Sequence, residues 1–274
     1  MDIEQLEIEL LFEALNRRYG YDFRDYAYET ARRRVLHRVA MSELSTIGEL
    51  QHLVLHDRNA ADALVTSLSI NVTEMFRDPD FFMAVRKTIL PCLAEQEHLK
   101  IWHAGCASGE EVYSMAILLK EEGLYGRARL YGTDFNDTIL EKAKVGLIPL
   151  GQMQQNIHNY QDSGGNQDFA DYYHARYEGA MIINSLKKNI VFSRHNLTCD
   201  RSFGTFHLIV CRNVLIYFNQ RLKDRVLKLF VDSLHVGGYL CLGSHETLMQ
   251  NRQREAFQVV DSGLRIYQKV KELS

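Results

Sequence analysis

Lys100-Ile101-Trp102-His103-Ala104-Gly105-Cys106-Ala107-Ser108-Gly109-Glu110-Glu111 is the stretch on which the fold turns. Lys100 to Ala104 reads as a strand, the glycines mark a bend, and Glu111 to Glu122 has helical spacing. That order starts a βα unit, and the same alternation continues downstream, which predicts a mainly parallel sheet. Arg129 to Thr133 is the next strand and Asp137 to Lys144 the next helix. His207 to Cys211 reads as a buried central strand, followed by a helix from Arg221 to His235. Tyr239 to Leu242 and Leu264 to Tyr267 are late strands, with Gly237-Gly238 as the turn into the former. Between Gly146 and Asn189 the rhythm breaks. Gly151 to Phe169, rich in Gln, Asn and Gly, reads as a polar loop. Tyr172 to Tyr177 and Ala180 to Asn184 read as antiparallel strands joined at Glu178-Gly179.

Upstream, residues 1 to 70 contain no proline and show helical spacing at Ile3, Leu6, Leu10 and Ala14, at Val35, Leu36 and Val39, and at Ile47, Leu50, Leu53 and Val54. Thr46 and Glu49 have the form of a capping box. The expected fold class is therefore α/β, a Rossmann-like domain with a mainly parallel sheet, preceded by a small all-α domain and carrying a small antiparallel β excursion. The expected boundaries are 1–70 for the helical domain, 71–98 for a linker, and 99–274 for the α/β domain, with 146–190 inserted.

At 274 residues the chain suits two domains. Its net charge of -3 disfavours a partner bound by neutralising phosphates, so nucleic acid is not expected. Cys92, Cys106, Cys199, Cys211 and Cys241 form an odd set without a CxxC pair, which suits a reducing compartment. The acidic start and the lack of a run of about 18 apolar residues predict a cytoplasmic protein that does not insert into a membrane.

The glycine loop brings backbone close to a ligand at a helix start that offers unpaired N–H groups. Its spacing matches neither GxGxxG nor GxxxxGK[ST], and paired carboxylates would repel phosphate. They suit a cofactor carrying an ammonium and a sulfonium, as S-adenosylmethionine does. The alternative is that Glu110 and Glu111 only complement the helix dipole. Asp134 ends the second strand, where a carboxylate can hold a ribose diol, or can instead cap the helix that follows.

Five segments, in order along nearly the whole chain, resemble the motifs of the CheR-type chemoreceptor glutamate methyltransferases. They are Asn71-Val72-Thr73-Glu74-Met75-Phe76-Arg77, Ala104 to Ser114, Gly132-Thr133-Asp134, Asn196-Leu197, and Cys211-Arg212-Asn213-Val214-Leu215-Ile216-Tyr217-Phe218. The resemblance implies transfer of methyl from S-adenosylmethionine to glutamates in the cytoplasmic helical region of bacterial chemoreceptors, leaving S-adenosylhomocysteine. It implies a monomer without a metal, whose 1–70 domain docks on the receptor. By the same resemblance Asn71, Thr73 and Arg77 reach the site from the linker, with Arg77 nearest the methyl. Ala104 and Glu110 would hold the methionine part, Asp134 the ribose, and Asn196 and Leu197 the adenine. Arg212, Asn213 and Tyr217 would line the methyl-transfer pocket, with Arg77 and Tyr217 catalytic. Members that bind receptor tails resemble one another in a glycine-rich turn of the excursion. Here Tyr177-Glu178-Gly179 is shorter, so docking on a C-terminal pentapeptide is not expected.

A sulfonium methyl is already activated, and a glutamate of pKa about 4.3 is ionised at neutral pH, so no catalytic base is required. Arg77 would orient the carboxylate and Tyr217 present a ring face to the sulfonium. The plain alternative for Arg77 is a salt bridge to Glu74 or Asp78. Arg32, Arg33, Arg34 and Arg38 form either a solvated face or one that steers an acidic helix. His52 and His56 have half-site spacing for zinc but lack a third ligand. Two other functions fit the fold: a module that binds the cofactor or its product without turnover, and a methyltransferase for RNA or a small molecule. The acidic balance disfavours RNA.

Overall fold

The computed structural model describes residues 2–69, 73–177, 179–248 and 251–272. It forms two compact units, Met1–Asn71 with Leu215–Val226 and Val72–Val214 with Leu227–Ser274.

The first unit holds α1 (Ile3–Tyr19), α2 (Tyr28–Met41), α3 (Ile47–His56) and α4 (Arg58–Leu68). Thr46 and Glu49 make the expected capping box, each side chain bonding the other's backbone N–H. Asp57 caps α4 through the Asn59 N–H at 2.8 Å. The apolar register of α1 differs from the sequence reading. Ile8, Leu11, Phe12 and Leu15 are buried, whereas Ile3, Leu6 and Leu10 face outward. α1 is apolar on more than one side, and its inward face is the one carrying Phe12, whose ring packs on Phe23. Leu215–Val226 joins this unit through the Ala27 N–H to Tyr217 carbonyl bond at 2.8 Å and the Asn219 N–H to Asp25 carbonyl bond at 2.9 Å.

The second unit runs α5 (Pro79–Ala84), a π-helical stretch (Val85–Ile89), α6 (Leu90–Leu93), β1 (Leu99–Ala104), α7 (Glu110–Glu121), β2 (Ala128–Asp134) and α8 (Asp137–Val145). It continues through β3 (Leu147–Pro149), α9 (Met153–Asp162), β4 (Tyr173–Arg176), β5 (Gly179–Ile182), α10 (Asn184–Lys187), β6 (Ile190–Arg194) and β7 (Phe206–Cys211). After α11 (Gln220–Ser233), which begins in the first unit, come β8 (Leu234–Leu242), β9 (Phe257–Asp261) and β10 (Ile266–Lys269). The large sheet has the order β6-β2-β1-β7-β8-β10-β9. Its first five strands pair in parallel and the last two antiparallel. The small sheet, β3-β5-β4, is antiparallel and adds β3 to the two strands read from the sequence.

Apolar residues cover both faces, as a parallel sheet requires. Ile101, Leu130 and Leu208 pack with Val112, Met115 and Ala116 of α7 and with Phe81, Phe82, Val85 and Ile89. Phe81, Phe82, Val85, Ile89, Leu90 and Leu93 thus bring one face of residues 79–93 into the core. Trp102 points to the opposite face, with Phe203, Phe206 and Phe230 at 5.0 to 5.5 Å. Its indole N–H donates to Thr133 at 2.8 Å.

The Gly151–Phe169 segment is not simply the polar loop expected from its composition. Met153–Asp162 is helical, and Asn156, Asn159 and Tyr160 share its buried face. The low apolar content hid the helix because amides replace apolar side chains on its inner stripe.

Gly132 brings β2 against β6. A Cβ there would lie 2.7 Å from the Phe192 ring and 3.1 Å from Val112. Gly132→Ala is expected to cost about 1–3 kcal/mol by overpacking, read from the denaturant midpoint. Adding Phe192→Leu should recover part of that loss. Additive effects would show that the two sites do not touch.

Candidate active site

Because β1, β2, β6, β7 and β8 are parallel, the loops after them leave at one edge of the sheet. The strand order reverses beside β1, the place where open α/β sheets hold ligands. The Gly105 and Cys106 N–H groups both donate to the Thr133 carbonyl, at 2.8 and 2.9 Å. Asp134 fastens the neighbouring loops. One oxygen accepts from Ala107 N–H at 3.1 Å and the other from Asn136 N–H at 3.0 Å, while its carbonyl accepts from His195 N–H at 3.0 Å. Asn136, not Asp134, caps α8 through Thr138 and Ile139. The capping alternative for Asp134 is therefore excluded. Gly105 has φ +78, and a Cβ on it would strike Val214 at 2.5 Å, so only glycine fits that crossing.

The adjacent acids Glu110 and Glu111 have different fates. Glu110 is buried, and its two oxygens share the single proton of the Ser108 hydroxyl, at 2.7 and 2.9 Å. Burial raises its pKa, opposed by Ser108, and burial likewise raises that of Asp134 against the backbone N–H bonds it accepts. Among the described residues neither carboxylate has an ion-pair partner. Glu111 instead lies 2.9 Å from His103 Nδ1 and accepts from Arg212 at 3.1 Å. Burial works to raise its pKa, but the His103 hydrogen bond and the Arg212 charge outweigh this and leave it below the ordinary carboxylate value.

Arg212 is buried after β7. Besides Glu111 it donates to the Asp78 carboxylate and, at 3.3 Å, to the Arg77 carbonyl, and it lies 4.2 Å from the centre of the Phe81 ring. Its guanidinium therefore holds the Arg77-Asp78 corner against α7. Asn213, at φ 60, donates its N–H to Glu246, whose carboxylate also takes the N–H of Val214 at 2.9 Å and of Gly243 at 2.6 Å.

Ala104 is buried at the end of β1. Asn196 turns its side-chain oxygen onto the Thr198 N–H and hydroxyl, at 3.0 and 2.8 Å, with Leu197 buried beside it. Thr73 and Arg77 are half-buried; Asn71 lies outside the described residues. Tyr217 belongs to the first unit. The second unit thus brings Ala104, Glu110, Asp134, Asn196, Leu197, Arg212 and Asn213 to one edge, joined to the Arg77 corner by Arg212. The sequence reading named Asp78 only as a salt-bridge partner for Arg77, whereas it pairs with Arg212, and it did not single out His103, Glu246 or the pairing of Glu111 with Arg212. An acidic residue next to Arg77 and a histidine inside an apolar strand were the available signals for Asp78 and His103.

The donor set fits S-adenosylmethionine. Two buried acids without cations call for positive charge, and a carboxylate beside a glycine loop can accept from vicinal hydroxyls. Comparison with known proteins agrees. Residues 71–264 match the CheR methyltransferase SAM binding domain, and residues 6–69 match the CheR methyltransferase all-alpha domain. The chain belongs to the CheR methyltransferase family. A Pseudomonas putida protein provisionally named methyltransferase Cher3 is 45% identical over 264 residues, 96% of this chain and 97% of that one. A chemotaxis protein methyltransferase of Listeria innocua is 31% identical over 90% of this chain and 93% of its own length. Chemotaxis protein methyltransferase 1 of Vibrio cholerae is 31% identical over 77% and 78%. The α/β unit is a S-adenosylmethionine-dependent methyltransferase domain, and among the described residues no helix is long and apolar enough to cross a membrane.

Glu111→Gln removes a charged partner from Arg212 and should cost about 1.5–3 kcal/mol at neutral pH. With a lowered folded pKa, Glu111 stabilises above the ordinary carboxylate pKa, and that contribution disappears as pH falls through the folded value. The gap between wild type and variant, measured by urea unfolding, should therefore close in acid. A gap that widened there would contradict the assignment.

Proposed function

We propose that this protein transfers the methyl group of S-adenosylmethionine to glutamate carboxylates in the cytoplasmic helical region of bacterial chemoreceptors, forming methyl esters for sensory adaptation. The observation that carries the reading is the pair of buried, cation-free carboxylates, Glu110 and Asp134, at the same edge as the Arg77 corner. The names of the Listeria and Vibrio relatives favour a chemotaxis substrate.

The bound cofactor would supply a methyl group already activated by its sulfonium. In this reading Glu110 receives the ammonium and Asp134 the ribose hydroxyls, with Ala104, Asn71, Thr73 and Asn213 against the rest of the amino-acid part. Asn196 and Leu197 flank the adenine. Arg77 hydrogen-bonds the incoming carboxylate through one oxygen and leaves the other free to attack. Arg212 keeps Arg77 in place, and Tyr217 offers its ring to the cationic centre. The attacking glutamate is ionised, at a pKa of about 4.3, so no residue need remove a proton. Attraction between the anion and the sulfonium guides the approach where water is excluded.

Among the described residues Arg33, Arg34 and Arg38 on α2 make no ion pair, whereas Arg32 is paired with Glu4. Arg34 and Arg38 stand one turn apart and suit an acidic receptor helix. The shortness of the Tyr177-Glu178-Gly179 stretch in the sequence, whose Glu178 lies outside the described residues, supports action without a pentapeptide tether. The proposed setting is a cytoplasmic monomer with no nucleic-acid partner.

Labelled methyl should pass from the cofactor to receptor fragments and leave as methanol under base; label that survives base would mean an N-methyl product and a different reaction. Arg77→Ala should lower turnover about 10²-fold or more, with S-adenosylhomocysteine affinity by calorimetry nearly unchanged. Wild-type turnover in that variant would remove Arg77 from the mechanism. Asp134→Ala should weaken the same ligand about 10- to 100-fold, the loss of charge-assisted hydrogen bonds.

A further inference from the structure

We infer that α9, in the polar insert, is a positioning element of the methyl-transfer site, acting through Asn156 and Asn159. The inference rests on the reading that Thr73 and Arg77 belong to that site. Asn156 Oδ1 accepts the Met75 N–H at 3.1 Å, and Asn159 Nδ2 donates to the Met75 carbonyl at 3.1 Å. Both backbone groups of one residue are thus taken by two amides one helical turn apart. Gln155 fixes the second amide by donating to Asn159 Oδ1 at 2.8 Å, which leaves its NH₂ facing Met75.

The next residue explains why side chains are needed here. Phe76 has φ 52, a left-handed conformation that regular structure cannot provide for. Its N–H goes to the Ser114 hydroxyl at 2.8 Å, and its ring is buried between Phe82, Tyr160 and Phe169. One residue further, Arg212 takes the Arg77 carbonyl and the Asp78 carboxylate. The corner from Met75 to Asp78 is therefore held from two sides, by α9 and α7 at its start and by Arg212 at its end. Asn156 and Asn159 are both buried, and Asn156 Nδ2 has no partner among the described residues. A buried donor without an acceptor is destabilising, so packing alone would favour an apolar side chain at this position. The amide does what leucine cannot, which is to fix the register of the strand-free segment that leads to Arg77.

Asn156→Leu and Asn159→Leu remove the clamp at similar volume. Gln155→Ala is an exposed change that leaves the fold secure and only releases the Asn159 amide. Misplacing the corner should lower kcat roughly tenfold to a hundredfold in the leucine variants and several-fold in Gln155→Ala, with KM for S-adenosylmethionine little changed. Hydrogen exchange at Met75 should accelerate in Asn156→Leu, whether or not a receptor substrate is in hand. Full kcat in folded Asn159→Leu and Gln155→Ala, or unchanged exchange at Met75, would overturn the inference. If wild type methylates no receptor fragment while Met75 exchange still accelerates, the clamp stands and the receptor assignment fails instead.

Discussion

The buried guanidinium of Arg212 is the constraint on which the site depends. It is reached by acceptors from separate parts of the chain: Glu111 on α7, and Asp78 with the Arg77 carbonyl ahead of α5. Taking such a cation out of water costs several kcal/mol, and only good pairing returns it. Two carboxylates, a carbonyl and the face of Phe81 supply that pairing. What it yields is a geometry more than net stability. The loop after the central strand, the first turn of α7 and the Arg77 corner cannot move independently without leaving a buried charge unpaired.

Glu110 and Glu111 are neighbours in sequence with opposite electrostatic states. Glu111 is compensated inside the protein and is pushed below its ordinary pKa. Glu110 is compensated by the Ser108 hydroxyl and a backbone N–H but by no cation among the described residues, and burial pushes it above that value, as it does Asp134. The start of α7 carries partial positive charge, which lowers the cost of keeping acids there without removing it. The remaining imbalance is negative and lies beside the glycine loop. A cation that settles there gains from weak screening, while a polyphosphate would meet repulsion. The choice of a sulfonium donor over a phosphate-bearing cofactor is thus built into which acids lack a cationic partner among the described residues.

The βα alternation was legible because strand and helix periods differ and Gly105 and Gly109 punctuate them; Gly237-Gly238, read as a turn, instead lies inside β8. β1, β2 and β7 fell close to their observed bounds, β8 begins at Leu234 rather than Tyr239, and the capping box at Thr46 was readable from two residues alone. The sequence misled where pattern and burial part company. α1 offers more than one apolar stripe, and nothing local says which meets the core. α9 buries asparagines, so a hydropathy reading sees a loop. In the site, glycines and strand-end acids marked Asp134 and Glu110, but the Arg212 network joins positions 78, 103, 111 and 212, and no spacing rule connects residues so far apart.

Among its described residues the site also contains four non-glycine residues in the left-handed region: Phe76, Asp78, Ala107 and Asn213, at φ 52, 55, 46 and 60. Such conformations cost of order 1–3 kcal/mol each and persist only when the surroundings over-determine them. Here each is met by a specific bond. Ser114 takes the Phe76 N–H, Asp134 the Ala107 N–H, Glu246 the Asn213 N–H, and Arg212 the Asp78 side chain. Three of these four partners are charged, and hydrogen bonds to charged groups contribute about 1.5–3 kcal/mol, the same order as the strain they offset. The strained corners are therefore rigid before any ligand arrives, and the entropy of forming them is spent on folding. An in-line transfer that needs no acid or base has little to gain from chemistry supplied by the protein and much to gain from such pre-set geometry.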